Sequence, residues 1–364
     1  MILTLIIFII ILAILILAHE LGHFVAAKKS GVRVDEFGFG FPPRLFSVKK
    51  GETTYSINLI PLGGFVKIYG EGGEGKGEKR SFATKSISRR AIIITAGVIM
   101  NFLLAAFLFG VGHKIGLPTE VDENVTGAAA QGIMVEISGV SPKSPAEAAG
   151  IKIGDVIKKA SVSGSQATEI TINSTKEVQE FIEAHKGQKI SLDVLRGKQE
   201  LNLLVDARAN PPPGEGPLGI SLANIKFVSS SFFDSFIKGV SDMVNITILI
   251  AVVLAGIIHK AIIGSPVGEV LTGPVGIYNI TSQAAGMGFI YLLQLTALLS
   301  INLGLINILP IPALDGGRLL FLGIEKVKGS PVSPKTENII HTIGFVFLIF
   351  LMILVTYKDL TKLF

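Results

Sequence analysis

The 364-residue chain contains no cysteine, and only 17% of its residues are charged. Without cysteine there is no disulfide framework, no thiolate metal site and no cysteine nucleophile. Any metal must then be held by His, Asp or Glu. Soluble domains usually carry about a quarter charged residues, so this shortage, set beside 49% hydrophobic residues, points to the membrane. The same figures exclude a disordered chain. A net charge of +5 is modest, and no basic-aromatic cluster of the kind that binds nucleic acid is present. The length allows roughly two or three domains.

Residues 2–17 (ILTLIIFIIILAILIL) carry no charge. With the next turn included, a helix of this length nearly crosses the ~30 Å hydrocarbon layer. A cleaved signal peptide is the competing reading. There is no basic n-region and no small-residue cleavage site, and His-Glu follows directly, so a retained membrane helix is expected. Residues 91–112, 289–309 and 339–356 are further membrane segments, and 243–263 is a fifth apolar stretch, carrying Asn245, His259 and Lys260.

The connection 28–90 holds 13 Lys/Arg against 6 Asp/Glu, and 113–237 holds 12 against 15. The positive-inside rule puts the first in the cytoplasm and the second outside, chiefly through Lys28, Lys29, Arg89 and Arg90 at the helix ends. Within 28–90, residues 53–60 and 63–70 alternate in strand fashion around Pro61-Leu62-Gly63-Gly64, which predicts a hairpin. It is either a cytoplasmic cap or a strand edge able to pair with an extended peptide. The glycines of Phe37-Gly38-Phe39-Gly40 predict a turn or close backbone approach just before it. Residues 71–80 read as a flexible, solvated loop.

Residues 127–227 are soluble in composition, with short β-like runs (IMVEISGV, KISLDVL, ELNLLVDA) and a helix over 175–186. SPAEAAGIKIGDVI (144–157) resembles the corresponding element of circularly permuted bacterial PDZ domains. The alternative is a small β-rich domain without a ligand.

His19-Glu20-Leu21-Gly22-His23 is HExxH. On a helix both imidazoles share a face and reach one ion, while Glu20, one residue round, can act on water without being a ligand. Such groups are costly at membrane depth unless they are functional. Catalytic zinc takes three protein ligands and keeps one position open. The best candidate for the third is Asp315, in Asn307-Ile308-Leu309-Pro310-Ile311-Pro312-Ala313-Leu314-Asp315-Gly316-Gly317. Taken alone, an Asp before two glycines reads as an ordinary turn. Here it ends a membrane segment beside helix-breaking prolines, and irregular backbone at that depth is tolerated only within protein or a wet cavity. His113, His185, His259 and His341 lack a partner motif.

HELGH in the first membrane helix, LDGG after a later one and a PDZ-like insert between them resemble the site-2 protease family of intramembrane zinc metalloproteases. The similarity is to its regulator-of-sigma-E protease branch, with one PDZ domain. NLIPLGGFVKIYG (58–70), GPVGI (273–277) and SINLGLINILPIPALDGGRLL (300–320) extend the resemblance over almost the whole chain. It implies Zn2+ on His19, His23 and Asp315, with Glu20 as general base. It also implies substrate contacts from Asn307 and Asn302 and a membrane-associated β element at 53–70, whose Phe65, Val66 and Lys67 are substrate-binding candidates. Ala96-Gly97-Val98 departs from the family, which often has Pro after that Gly, and this puts the packing of the second membrane helix in doubt.

The fold class implied is membrane α-helical: four transmembrane helices, a cytoplasmic membrane-associated β-hairpin and an extracytoplasmic β-rich PDZ-like domain. Residues 1–126 form the N-terminal membrane metalloprotease part, 127–227 the PDZ-like domain and 228–364 the C-terminal membrane part. The implied location is the bacterial inner membrane, multi-pass, with both termini outside. The implied partners are the lipid bilayer and single-pass membrane substrates such as anti-sigma factors or remnant signal peptides, first trimmed by a site-1 protease. Two alternatives stand beside this reading: a non-catalytic receptor with a vestigial metal motif, and a membrane zinc protease that cuts soluble loops. The PDZ-like domain would filter bulky ectodomains or recruit trimmed C-termini. Deleting 127–210 separates the two, since a filter predicts that uncut substrates become cleavable. A crossing by 243–263 would put Asp315 on the wrong side of the bilayer for His19, so that stretch is expected to be an interfacial or partly inserted helix on the outer side.

Overall fold

The structure, a computed structural model, describes residues 2–75, 77–121, 132–264 and 273–361. In chain order the elements are α1 (Ile2–Lys29), β1 (Val34–Lys50), β2 (Thr53–Ile68), α2 (Ile87–Ile115), β3 (Leu117–Glu120) and β4 (Met134–Val140). Then follow α3 (Pro145–Ala148), β5 (Val156–Val162), β6 (Ser165–Thr171), α4 (Thr175–Ala184), β7 (Lys189–Arg196), β8 (Gln199–Asp206) and β9 (Ile220–Val228). The last part is helical: α5 (Phe232–Ile262), α6 (Pro274–Met287), α7 (Phe289–Ile308), α8 (Asp315–Lys328) and α9 (Pro334–Thr361). Two compact units result, one of residues 1–111, 236–281 and 293–364, the other of 112–235 and 282–292.

Among the described residues five helices (α1, α2, α5, α7 and α9) are long and apolar enough to cross a membrane. A helix closes its own backbone hydrogen bonds, which is what a chain in lipid requires. Their outward residues are apolar and exposed, as at Ile10, Leu103, Val252 and Val346, so the surface that the fold leaves open suits hydrocarbon. α1 stops where Gly31 turns left-handed (φ 67°) and Val32 N–H closes onto Ala27 O, an end that a glycine makes inexpensive.

In the first unit the helices meet through small residues. A Cβ on Gly22 of α1 would lie 2.2 Å from the carbonyl oxygen of Ala96, so glycine alone lets α1 and α2 cross here. On α7, Ala297, Ser300 and Gly304 are a buried small stripe, and the Ser300 hydroxyl donates to Asn101 O of α2 at 2.8 Å.

The β element corrects the expected hairpin. Residues 53–60 and 63–70 do not pair with each other across Pro61–Gly64; the turn is at Gly51–Glu52, and β1 pairs with β2. The stretch Glu36–Phe39 lies between two parts of β2, facing Gly64–Lys67 on one side and Thr54–Ile57 on the other. The expected close approach is real. A Cβ on Gly38 would meet the Phe65 ring at 2.4 Å and Ser56 Oγ at 2.7 Å. Asn58 fixes the arrangement by donating to the carbonyls of Phe39 and Gly40. Alternation marks strands but does not reveal a third segment inserted between them. The Gly51–Glu52 turn is tied to the end of α1 by the Lys28–Glu52 ion pair, and Phe24 packs on Phe37 and Tyr55.

The second unit holds a seven-stranded sheet, ordered β3-β9-β4-β5-β7-β8 with β6 on β5. The three β-like runs of the sequence are β4, β7 and β8, and the helix expected over 175–186 is α4. Ser174 caps α4 by accepting from Glu177 N–H, and Val178, Phe181 and Ile182 bury its apolar face on a core that includes Ile137, Ile157, Ile190 and Leu192. Asp155, fully buried, takes both arms of the Arg196 guanidinium at 2.7 Å, which holds the turn before β5 against β7.

Candidate metal centre

His19 and His23 lie one turn apart on the buried face of α1 and both point at the start of α8. His19 Nε2 is 3.2 Å from His23 Nε2, and Asp315 Oδ2 lies 3.1 Å from the first and 3.3 Å from the second. Tetrahedral zinc with ligand distances of about 2.0–2.1 Å separates its ligand atoms by about 3.3 Å, so the triangle already has the size of a zinc site. Asp315 Oδ2 is buried and has no hydrogen-bond partner. A buried carboxylate oxygen facing two ring nitrogens suits a divalent cation, which satisfies all three atoms together. Burial alone would raise the Asp315 carboxyl, yet the imidazoles of His19 and then His23, 3.1 and 3.3 Å from it, outweigh burial and hold the group at about 2. It is therefore ionised, as a ligand must be.

Local sequence explains the placement of Asp315. α7 ends before Pro310-Ile311-Pro312, and α8 begins at Asp315 itself. The connecting loop folds back on the first turn of α8. A Cβ on Gly316 would sit 2.1 Å from Leu309 O, and one on Gly317 would sit 2.4 Å from Ile311 O. The two glycines after the Asp are thus the condition for bringing it back under α7, rather than a generic turn signal.

The other ring nitrogens are also held. With Nε2 facing the shared centre, His23 Nδ1 donates to Ile93 O at 2.9 Å. The side-chain amide of Asn101, fully buried on α2, lies 3.2 Å from His19 Nδ1. Such partners fix the orientation of ligand histidines. Gly97 belongs to the same wall, since a Cβ there would lie 2.3 Å from His23 Nε2.

A cavity of about 280 Å³ opens on this centre. Glu20, Phe65, Val66, Glu71 and Arg318 line it together with the three candidate ligands. Strand β2 runs directly past Glu20, because a Cβ on Gly64 would come within 3.0 Å of Glu20 Cγ. A larger cavity of about 480 Å³ adjoins it, sharing Ile94, Glu71 and the paired Arg318, and contains the Arg90–Glu325 ion pair.

The structure brings His19, Glu20, His23, Asp315, Phe65 and Val66 to one place. Asn307 does not line the cavity, but its Nδ2 lies 3.5 Å from His19 Nε2. Asn302 instead donates to Leu298 O in its own helix, and Lys67 is exposed; neither lines the cavity. Sequence reasoning missed Asn101, Glu71 and Arg318. The uncharged polar residue within an apolar helix was the available signal for Asn101, whereas Glu71 lay in a stretch read only as solvated loop.

Comparison with known proteins agrees with this geometry. Residues 7–351 match peptidase family M50. The zinc metalloprotease RasP of Oceanobacillus iheyensis is 30% identical, the alignment covering 99% of each chain. The regulator of sigma-W protease RasP of Bacillus subtilis is also 30% identical over 99% of each. A putative zinc metalloprotease of Clostridium acetobutylicum is 34% identical over 95% of this chain and 94% of its own. The chain belongs to peptidase family M50, the site-2 proteases, and is a zinc metalloprotease.

Proposed function

We propose that the protein is an intramembrane endopeptidase in which His19, His23 and Asp315 hold the zinc and Glu20 is the general base. The observation that carries the reading is the triangle of ligand atoms, 3.1–3.3 Å on a side, with Glu20 lining the same cavity. When bound, zinc polarises the scissile carbonyl and makes water at the site acidic near neutral pH. Glu20 takes the proton of the attacking water and delivers it to the leaving amine nitrogen. Its place on the helix face beside the ligands keeps it close without competing for the metal.

A substrate helix hides its carbonyls in its own hydrogen bonds, so it has to be drawn out before attack. Residues Gly64–Lys67 pair with Glu36–Phe39 on one side, and among the described residues no strand takes the other side. Phe65 and Val66 of this edge line the cavity, which suits pairing with an extended substrate segment. Asn307 would hold a freed backbone group; its Nδ2 lying 3.5 Å from His19 Nε2 supports this reading.

The substrates in this reading are single-pass membrane proteins of the anti-sigma-factor type or remnant signal peptides, trimmed first by another protease. The name of the Bacillus subtilis relative supports the first class. The β-rich unit is read as an extracytoplasmic PDZ-like domain. In support, α4 lies beside β9, where Thr175 N–H donates to Asn224 Oδ1 at 3.0 Å. The chain crosses the membrane four times, with both termini outside and α5 in the outer interface.

Glu20→Gln tests the mechanism. Zinc content should persist while cleavage of a model transmembrane substrate falls at least about 100-fold, the lower range for general-base catalysis. Undiminished cleavage by this variant would remove Glu20 from the reaction.

A further inference from the structure

The loop that presents Asp315 is held in an unfavourable conformation from outside its own helix. Ala313, two residues before Asp315, has φ 77°, a left-handed conformation that an L side chain resists. Its N–H donates to His341 Nδ1 at 2.8 Å, across 28 residues of chain. His341 is on α9. Three residues on and therefore on the same face, Gly344 is buried, and a Cβ there would lie 2.5 Å from Pro312 Cβ and 2.6 Å from Pro312 O. The His341 ring also packs on Phe321 of α8, with centroids 5.5 Å apart. One face of α9 thus grips Pro312 and Ala313 by shape and by one hydrogen bond, just before the carboxylate.

We propose that His341 is a positioning residue for the metal centre: through Ala313 N–H it keeps Asp315 Oδ2 within reach of His19 and His23. It touches neither metal nor substrate. The role requires an acceptor at Nδ1, which the ring supplies in its neutral form with the proton on Nε2. Nε2 lies 3.9 Å from Glu337 Oε1, one turn back on α9, so the carboxylate faces the protonated edge. Without the acceptor, the Ala313 peptide has no partner on α9, and Asp315 samples positions outside the triangle. A ligand loop that is not held in place weakens the metal site even with all three ligands present.

The inference rests on Asp315 being a ligand, and the experiment separates the two claims. Zinc affinity is measured by chelator competition on full-length protein in detergent, with kcat and KM for a model transmembrane substrate. His341→Phe keeps the ring packing on Phe321 and removes the acceptor. His341→Asn offers a carbonyl oxygen in place of Nδ1. Zinc affinity should fall about 10–100-fold in His341→Phe, the usual range for loss of a partner behind the ligands. His341→Asn should lie within a few-fold of the unaltered protein, and KM should be unchanged in both. Equal zinc affinity in the His341→Phe and unaltered proteins overturns the proposal, as does an Asn variant no better than Phe. Asp315→Asn is the control. If it binds zinc normally, the ligand assignment itself fails; if it loses zinc while His341→Phe does not, only the role of His341 fails. Should His341→Phe not fold, Gly344→Ala reports on the same grip and must weaken zinc with KM unchanged.

Discussion

The side-chain amide of Asn101 lies 3.2 Å from Nδ1 of His19, and its oxygen is buried without a hydrogen-bond partner. A half-turn of the amide places that oxygen on Nδ1. There it accepts the ring proton, which sits on Nδ1 when Nε2 faces the metal. Asn101→Leu, of similar volume but without an acceptor, should lower zinc affinity about 10–100-fold with little change in KM. Asn101→Asp retains an acceptor and should retain most of the affinity. Chelator competition measures both, and equal affinity in Leu and Asp variants would show that Asn101 only fills space.

Gly97 shows how narrowly the α1–α2 crossing is set. A Cβ at this position would lie 2.3 Å from His23 Nε2 and 2.8 Å from His19 Cε1, inside van der Waals contact with both candidate ligands. Gly97→Ala favours the helix by propensity, yet it should abolish stoichiometric zinc binding, because the His23 ring must shift from the position set by its bond to Ile93 O. The informative comparison is Gly256→Ala on α5, where a Cβ meets nothing within 4 Å. That variant should be neutral in zinc content and cleavage.

The two kinds of information in this sequence were not equally legible. HELGH carries its geometry locally, because a helix fixes the i and i+4 relation and the structure keeps it. LDGG was readable as chemistry, although the purpose of its glycines appears only when Leu309 O and Ile311 O are seen against them. The β element failed for a physical reason: Glu36–Phe39 enters between two parts of β2, and period-2 alternation says nothing about which strand lies between which. Asn101 and His341 were also hidden. Each acts across helix pairs that share no sequence pattern, and an isolated polar residue in an apolar helix does not name its partner. Asn302, readable as a substrate contact, donates its amide to Leu298 O within α7.

Glu52 yields a prediction about acid. Its carboxyl, at the β1–β2 turn, is held down at about 2 by Arg80 and then by Lys28, against an ordinary value of 4.5. A carboxyl lowered on folding contributes stability that is present above its unfolded value and lost as pH falls through its folded value. The tie between this turn and α1 should therefore be insensitive to pH from 8 down to about 5. It should weaken only between 4.5 and about 2. Hydrogen exchange of the turn amides reads this directly. In Glu52→Gln the protection should be reduced above about pH 5 and the acid step should vanish; an unchanged acid step would assign it to another group.

The path of α5 follows from which ends of the helices meet. On α2, Ile93 receives the hydrogen bond from His23, whereas Gly110, about 25 Å further along, receives α5. A Cβ on Gly239 would lie 2.5 Å from Gly110 N. On α9, His341 is at the metal end, and Asp359, about 27 Å away, accepts from the N–H groups of Gly273 and Gly276 at the start of α6. Tyr278 of α6 packs on Phe8 of α1, about 16 Å from His19 along the helix. α5 therefore leaves from the end of the bundle remote from the metal, and α6 starts at that same end. An α5 that starts at this end of the bundle, where α6 also starts, is expected to lie in the plane of the membrane or to insert only partly. Cysteines at Ser241 and at Ser265, the latter outside the described residues, are unique in this cysteine-free chain. Both should react with an impermeant maleimide added outside intact cells. Reaction of Ser265→Cys only after the cells are opened would mean that α5 crosses, and the count of four membrane passages would fall with it.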